Sequence, residues 1–421
     1  MNQIITIRKK HILSVLLTTM LCVTLLSTNT YASDSKYDGP FIIRSDTVSL
    51  SFESLSEEEE RAYSSDTGLV ASLLSVLIRR NNEFGCSTSV SQLPNHYADQ
   101  IVLFAPTVIT DSTSRTNAIN NMETRIGADF VQSVLSLEIC SIDLQDNVYT
   151  VCAIEKTEVT YRYLNSEEDD SFGFCTDHEI AIRKNSSNYT IISDSFDETL
   201  ITGAISSDRV LRGEDNEEYL SAESSQSFSP VIASTGISGY NATDAIIYSN
   251  VWWNSYNSSY YHSSDGSNDC ANYVSQCIEN GGISQDTTWF ADSYGYSTAW
   301  CRAWTFDGYW VGRGVTKLNV LTYGGGMYSC IPGNPVYWLN GANASPSGHI
   351  MIHVGYNTAK VPVVNGHSPC MHKVPITNFS DHSLKTLTIK ACSHSSYSTF
   401  TYSGQTYGLC NSCGAIFIPV Y

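Results

Sequence analysis

Cys270 stands in the stretch SSDGSNDCANYVSQCIENGG, residues 263–282, just past a run of Ser, Asp, Gly and Asn. A helix is expected to begin there. With Cys270 in its first turn, Cys270, Tyr273, Val274, Cys277 and Ile278 fall on one apolar stripe. Asp269 is placed to cap the helix and Gly281-Gly282 to stop it. A helix start carries partial positive charge and free N–H groups. Both favour a thiolate, and the same N–H groups can hold an oxyanion on an attacked carbonyl. That is the chemistry of a nucleophile. A buried or disulfide-bonded cysteine is the alternative, and this stretch alone leaves both open.

A thiol nucleophile needs a base within hydrogen-bond reach, and a third polar group to orient that base. Residues 333–376 carry histidines on strand-like segments. PVYW reads as one short strand. HIMIHVGY reads as a second, with His349, Met351 and His353 on one face and Ile350, Ile352 and Val354 on the other. KVPVVNGHS reads as a third, ending near His367. A histidine that starts one strand and a polar residue on its neighbour can supply both base and orienting group.

A second constellation lies in the tail, where Cys392, His394, Cys410 and Cys413 follow a C-x-H … C-x-x-C pattern. The intervening residues read as a hairpin around Ser403-Gly404, which would bring the halves together. A closed Cys₃His set suits structural zinc, far from the chemistry and not required for it. Disulfides or core cysteines are the alternative, and a tail this short needs a metal or a disulfide to hold it.

The chain around these residues has 421 residues and a formal charge of −19. Its start reads as a secretory signal over residues 1–32: Arg8, Lys9 and Lys10, then an apolar run from Ile12 to Leu26, then Thr30-Tyr31-Ala32. This segment holds three basic and no acidic side chains, so without it the charge is −22. Such acidity argues against nucleic acid and anionic surfaces as partners. No later stretch is long and apolar enough for a membrane span, so a secreted protein, free of the membrane after cleavage, is expected. Twelve cysteines follow Cys22, and outside the cell they would tend toward disulfides whose pairing sequence does not give.

Residues 36–212 read as a separate α+β domain of unknown role. An acidic and then apolar helix, SEEEERAYSSDTGLVASLLSVLIRR, is followed by alternating antiparallel strands with a turn at Asn185-Ser-Ser-Asn188. This block resembles the nuclear-transport-factor-like sheets that precede enzyme domains in some secreted bacterial proteins. It shows no chemical constellation in sequence. Residues 213–238 are acidic and then Ser-rich, as a linker would be. A Tyr-, Trp- and Gly-rich section, 239–383, carries Cys270 and the histidines, and the tail is 384–421.

Within that section DCANYVSQCIENGG resembles the D-C-T-N-F-V-S-Q-C-L-x-x-G-G signature of the putative amidase-domain family of secreted bacterial proteins. YNATDAIIYSNVWWNSYN resembles its first helix, and YSTAWCRAWTFDGYW its Tyr-Ser-x-x-Trp segment. GNPVYW … HIMIHVG also resembles the NlpC-type cell-wall peptidases, a papain-like cysteine hydrolase fold in which a nucleophile-bearing helix packs on an antiparallel sheet. Ala271 stands where the family has Thr and Asn334 where the wall peptidases have Asp. The resemblance implies Cys270 as nucleophile and His349 as general base. It leaves the third group open between His367 and Asn365, and makes His353 a pocket residue. It implies a secreted amidase or peptidase that needs no cofactor for catalysis and acts on cell-wall peptide or another amide substrate. The alternatives are a non-catalytic binding protein on a degenerate fold and an acyltransferase with the same Cys–His pair.

Overall fold

The acidic run at Glu57 makes helix α1 (Glu57–Ser64), where Ser56 and Glu59 close a capping box. Asp66 then caps a second helix, α2 (Thr67–Glu83), so the stretch that reads as one helix is two. Leu69, Leu73, Val76 and Leu77 are buried, on the spacing the sequence shows. Helix α3 (Pro106–Ile126) starts on proline, whose missing N–H is no loss there, and ends at Gly127 with φ +75°. These helices belong to a computed structural model that describes residues 42–44, 47–86, 97, 99–164, 166–196, 201, 236–260, 269–292, 295–320, 331–339, 349–379, 383–402 and 405–417. The expected signal and all but the last residues of the expected linker lie outside them.

The helices pack on strands β1 (Ile42–Arg44), β2 (Val48–Ser51), β3 (Val102–Phe104), β4 (Ala128–Gln145), β5 (Val148–Tyr163), β6 (Asp170–Lys184) and β7 (Tyr189–Phe196). Strands β4 to β7 form an antiparallel meander whose buried and exposed residues alternate. Asn185 N donates to Asn188 O at the β6–β7 turn, where the sequence places one.

The second half supplies α4 (Ala242–Trp252), α5 (Asp269–Asn280), a ribbon of β8 (Ala291–Asp292) and β9 (Gly295–Tyr296), α6 (Thr298–Cys301) and α7 (Ala303–Gly312). Strands β10 (Lys317–Val320), β11 (Pro335–Leu339), β12 (His349–Tyr356), β13 (Pro362–Gly366), β14 (Met371–Pro375) and β15 (Ser383–Leu387) follow. The tail is a three-stranded sheet of β16 (Tyr397–Tyr402), β17 (Gln405–Cys410) and β18 (Ile416–Phe417).

The fold is α+β on one large mixed sheet. Its order is β1-β2-β4-β5-β6-β14-β13-β12-β11-β15-β10, with β7 and β3 branching from β6. The expected N-terminal block and the expected catalytic block are therefore joined edge to edge, through β6 and β14. Met371 lies opposite Phe174 and His372 opposite Gly173. Trp253 stacks on His372 with centroids 5.0 Å apart, and a β-carbon on Gly173 would sit 3.0 Å from the Trp253 ring. Glycine at 173 lets the indole lie across the seam.

Strand alternation divides two cores. Met351 and Val364 join the core beneath α2 and α3, whereas Ile350 and Ile352 join the one beneath α4, α5 and α7. One strand, β12, thus presents a face to each half of the protein.

The first core also holds a charge network that no stretch of sequence announces. Arg115 Nε lies 2.9 Å from Glu83 Oε2 and its Nη2 3.2 Å from Glu155 Oε1. His178 bridges Glu155 at 3.4 Å and Asp194 at 2.8 Å. Arg80 reaches Asp194 at 2.5 Å, with the Phe196 ring 3.6 Å from its guanidinium carbon. Burial alone would raise the Glu155 carboxyl; Arg115 and His178 outweigh it and hold it low. Burial likewise opposes charge on His178, yet Asp194 and Glu155 hold it above the usual imidazole range. Three carboxylates thus face three cations drawn from α2, α3, β5, β6 and β7.

Candidate active site at the start of helix α5

Helix α5 places the cysteine. Tyr273, Val274, Cys277 and Ile278 are buried, as the stripe predicts, but so are Asn272, Ser275 and Gln276. These polar residues are sockets for neighbours. Asn272 Oδ1 accepts Trp300 Nε1 at 2.7 Å, Ser275 Oγ accepts Trp289 Nε1 at 3.0 Å, and Gln276 Oε1 accepts the Tyr248 hydroxyl at 2.6 Å. Their hydrogen bonds offset the cost of burying them. The helix stops where Gly281 N donates to Cys277 O and Gly282 turns to φ +95°. A β-carbon on Gly281 would sit 2.4 Å from the Tyr240 ring, so the stop is also a close approach.

Cys270 is a half-buried free thiol in that first turn. Its sulfur meets the backbone amide of Ile350, one residue along β12 from His349. Burial pushes the thiol up to about 11, against the Ile350, Ala271 and Cys270 amides, which favour the thiolate; the Asp269 carboxylate adds to the upward push. The helix start alone suggests a lowered value. Burial wins because an unpaired sulfur anion loses its water there.

His349 is buried at the start of β12, with Nε2 3.5 Å from where a β-carbon on Gly366 would stand. Burial, with the positive charge of nearby His367, pushes its pKa down to about 3. The imidazole is therefore neutral at ordinary pH, the state a base needs.

His367, one of the two candidates for the group that orients His349, makes its hydrogen bonds to other groups. Its Nδ1–H donates to the Asp269 carboxylate and its Nε2–H to Trp252 O at 2.7 Å. A ring with acceptors at both nitrogens carries both protons. Burial opposes that charge, but Asp269 and the Trp252 carbonyl hold the pKa above its usual value. Tyr273 stacks on the ring with centroids 4.0 Å apart. Both His367 nitrogens are thus engaged with groups other than His349. Asp269, expected from sequence to cap the helix, is its first residue, and its carboxylate meets His367 and Asn272 Nδ2, the latter at 2.8 Å.

Asn365 is equally committed. Its Nδ2 donates to Ser249 Oγ at 3.1 Å and Asn250 Oδ1 at 2.9 Å, and its Oδ1 accepts Lys373 N at 2.7 Å. His353 is fully buried and its Nε2 donates to Gly355 O at 2.7 Å. The structure therefore brings Cys270 to the strand of His349 and sets an Asp269–His367 ion pair beside them. Sequence missed the role of Asp269; its position next to Cys270 was the available signal. The tail residues Cys392, His394, Cys410 and Cys413 come together in a second cluster, beyond this site.

Two pH effects follow with opposite signs. His349, depressed in the folded chain, contributes stability present above the ordinary imidazole value of 6.5 and lost as pH falls toward 3. His367, raised, contributes stability present below 6.5 and lost as pH climbs through its folded value. The thiol gives a sharper expectation. With a pKa of about 11, alkylation of Cys270 by iodoacetamide should quicken about tenfold per pH unit through the neutral range, because only thiolate reacts. A rate independent of pH there would show a resting thiolate–imidazolium pair instead.

Residues 239–389 match the family model described as putative amidase domain. The segment holds Cys270, His349 and His367, ends before Cys392, and supports an amidase-type hydrolytic function. No curated protein and no solved structure matches the chain. Among the described residues no helix is long and apolar enough to cross a membrane.

Proposed function

We propose that the protein is a secreted cysteine amidohydrolase that cleaves an amide bond through an acyl-enzyme, with cell-wall peptide as its substrate class. The observation that carries this reading is the Cys270 thiol in the first turn of α5 against the amide of Ile350, whose neighbour on β12 is His349 with its neutral imidazole. The match over 239–389 supports it.

The chemistry follows from the two protonation states. The resting thiol is neutral, so the attack needs its proton removed as the sulfur–carbon bond forms. His349 takes that proton and becomes imidazolium. The first-turn N–H groups of α5 face the oxygen that gains charge. As the carbon–nitrogen bond breaks, His349 returns the proton to the leaving amine. Water then adds to the thioester, with His349 as base, and releases the carboxylic acid and the free thiol. The Asp269–His367 pair is a positioning element: it ties the start of α5 to the end of β13, and the charge on His367 adds to burial in keeping His349 neutral.

His349→Ala is expected to lower kcat by about 10²–10⁴-fold, the usual worth of a general base, while His353→Ala lowers stability and leaves the chemical step. Activity retained in the first and lost in the second would move the base to His353. The substrate class is tested by incubating the full chain with whole peptidoglycan and identifying released ends by mass spectrometry. Paired new amine and carboxyl ends support the reading. Cleavage of a peptide-amide library but not of peptidoglycan removes the cell wall from it, and no cleavage of either removes the enzyme.

A further inference from the structure

The tail cluster lies outside the matched segment, and the hydrolase does not use it. Its four ligand atoms, one each from Cys392, His394, Cys410 and Cys413, all lie within 4.8 Å of one another. Cys392 Sγ and Cys410 Sγ are 3.6 Å apart, and Cys413 Sγ and His394 Nδ1 are 3.5 Å apart. A disulfide needs about 2.05 Å between sulfurs. A tetrahedron with metal–sulfur bonds of about 2.3 Å has sulfur–sulfur edges of about 3.8 Å. These two spacings are close to tetrahedron edges.

The backbone is arranged for the same purpose. Ser412 N donates to Cys410 Sγ at 3.4 Å and His394 N to Cys392 Sγ at 3.5 Å. Such donors compensate charge on thiolates, and disulfide sulfurs have little charge to compensate. His394 holds φ +49°, a left-handed conformation rare outside glycine, as the chain turns back two residues after Cys392. Register does the rest: Tyr397 pairs with Cys410, so the β16–β17 hairpin brings the two ligand pairs to one end. Among its described residues the module has almost no core of its own. Tyr407 and Ile416 are buried, with Tyr356 and Phe400 against them. An apolar cluster this small does not hold a three-stranded sheet without a further link.

We propose that Cys392, His394, Cys410 and Cys413 bind one zinc ion in a closed tetrahedral site that folds the C-terminal module. Three thiolates and an imidazole select a soft-to-borderline divalent metal over calcium or magnesium. A closed ligand set leaves no position for substrate or water, so the site is structural. It braces the hydrolase from outside. Ile416 N donates to the Tyr356 hydroxyl at the far end of β12, the strand that begins with His349. Just before Cys392, Lys390 N donates to Asn334 Oδ1 at 2.6 Å, and Asn334 Nδ2 donates to Lys390 O at 3.0 Å. The residue that departs from the wall-peptidase pattern, Asn334, is thus the one that receives the root of the tail. Zinc binding at this site does not depend on Cys270 being a nucleophile.

The test uses the full chain, purified with thiols protected and no chelator. One zinc per chain by plasma mass spectrometry is expected. Exchange with Co²⁺ should give sulfur-to-cobalt charge-transfer bands and the visible ligand-field bands of a tetrahedral site. Cys413→Ser should weaken or abolish both, while Cys86→Ser leaves them unchanged. Chelation should open the chain to protease beyond Lys390. Reduced wild-type chain that takes up no zinc, or protein as purified with a disulfide among Cys392, Cys410 and Cys413, overturns the proposal even if the variant fails to fold.

Discussion

Cys270→Ala should abolish amide hydrolysis and leave the fold standing. The sulfur is the atom that forms the bond to substrate, and it is the thiol that meets the Ile350 amide at the start of α5. Losses for a removed nucleophile reach about 10⁶-fold in kcat in comparable hydrolases. Stability should change little, because Tyr273, Val274, Cys277 and Ile278 carry the packing of the helix and alanine keeps the Cys270 β-carbon. Cys270→Ser separates nucleophilicity from shape. It keeps a similar size but raises the intrinsic pKa further above the reach of a base held near 3, so it should be as inactive as alanine. A serine variant within an order of magnitude of wild type would mean that bond formation at residue 270 is not the difficult step.

The second large effect lies far from that site. Arg115→Met should destabilise the fold by about 3–5 kcal/mol, the cost of leaving buried charges without their partner. Arg115 and Glu155 are both fully buried, and Glu83 nearly so. Removing the guanidinium strands two carboxylates in the first core, and methionine fills the volume without replacing the charge. The urea midpoint should fall with an unchanged slope. Arg162→Met, which removes an ion pair with Asp169 on the surface, should leave the midpoint where it is. If both variants behave alike, water reaches the network in solution and screens its charges.

Local patterns in this chain were readable in sequence and long-range pairings were not. Helix α5 follows from a cysteine, an apolar stripe and two glycines within about a dozen residues, and the tail cluster from two short motifs bridged by a hairpin. Both rest on spacings that one helix or one hairpin converts directly into geometry. The charge network draws Arg80, Arg115, Glu155, His178 and Asp194 from five elements, and each looks like an ordinary surface residue in its own segment. The partnership of Asp269 with His367 spans 98 positions. The continuation of the sheet from β6 to β14 likewise needs Phe174 and Met371 to meet across nearly two hundred residues. Such contacts depend on how elements distant in sequence pack together, and no local spacing encodes that. The polar residues inside α5 were hidden for another reason. Asn272, Ser275 and Gln276 look solvent-facing until Trp300, Trp289 and Tyr248 are placed against them.

A thioester at Cys270 is the intermediate on which the proposed chemistry depends. The most direct measurement is rapid acid quench of the enzyme during turnover of a peptide-amide substrate, followed by peptide mapping by mass spectrometry. The predicted result is the mass of the substrate acyl group on the peptide that contains Cys270, removed by hydroxylamine and absent when His349 is replaced by alanine. Steady turnover with the Cys270 peptide unmodified at every quench time, and an adduct on another residue, would contradict it.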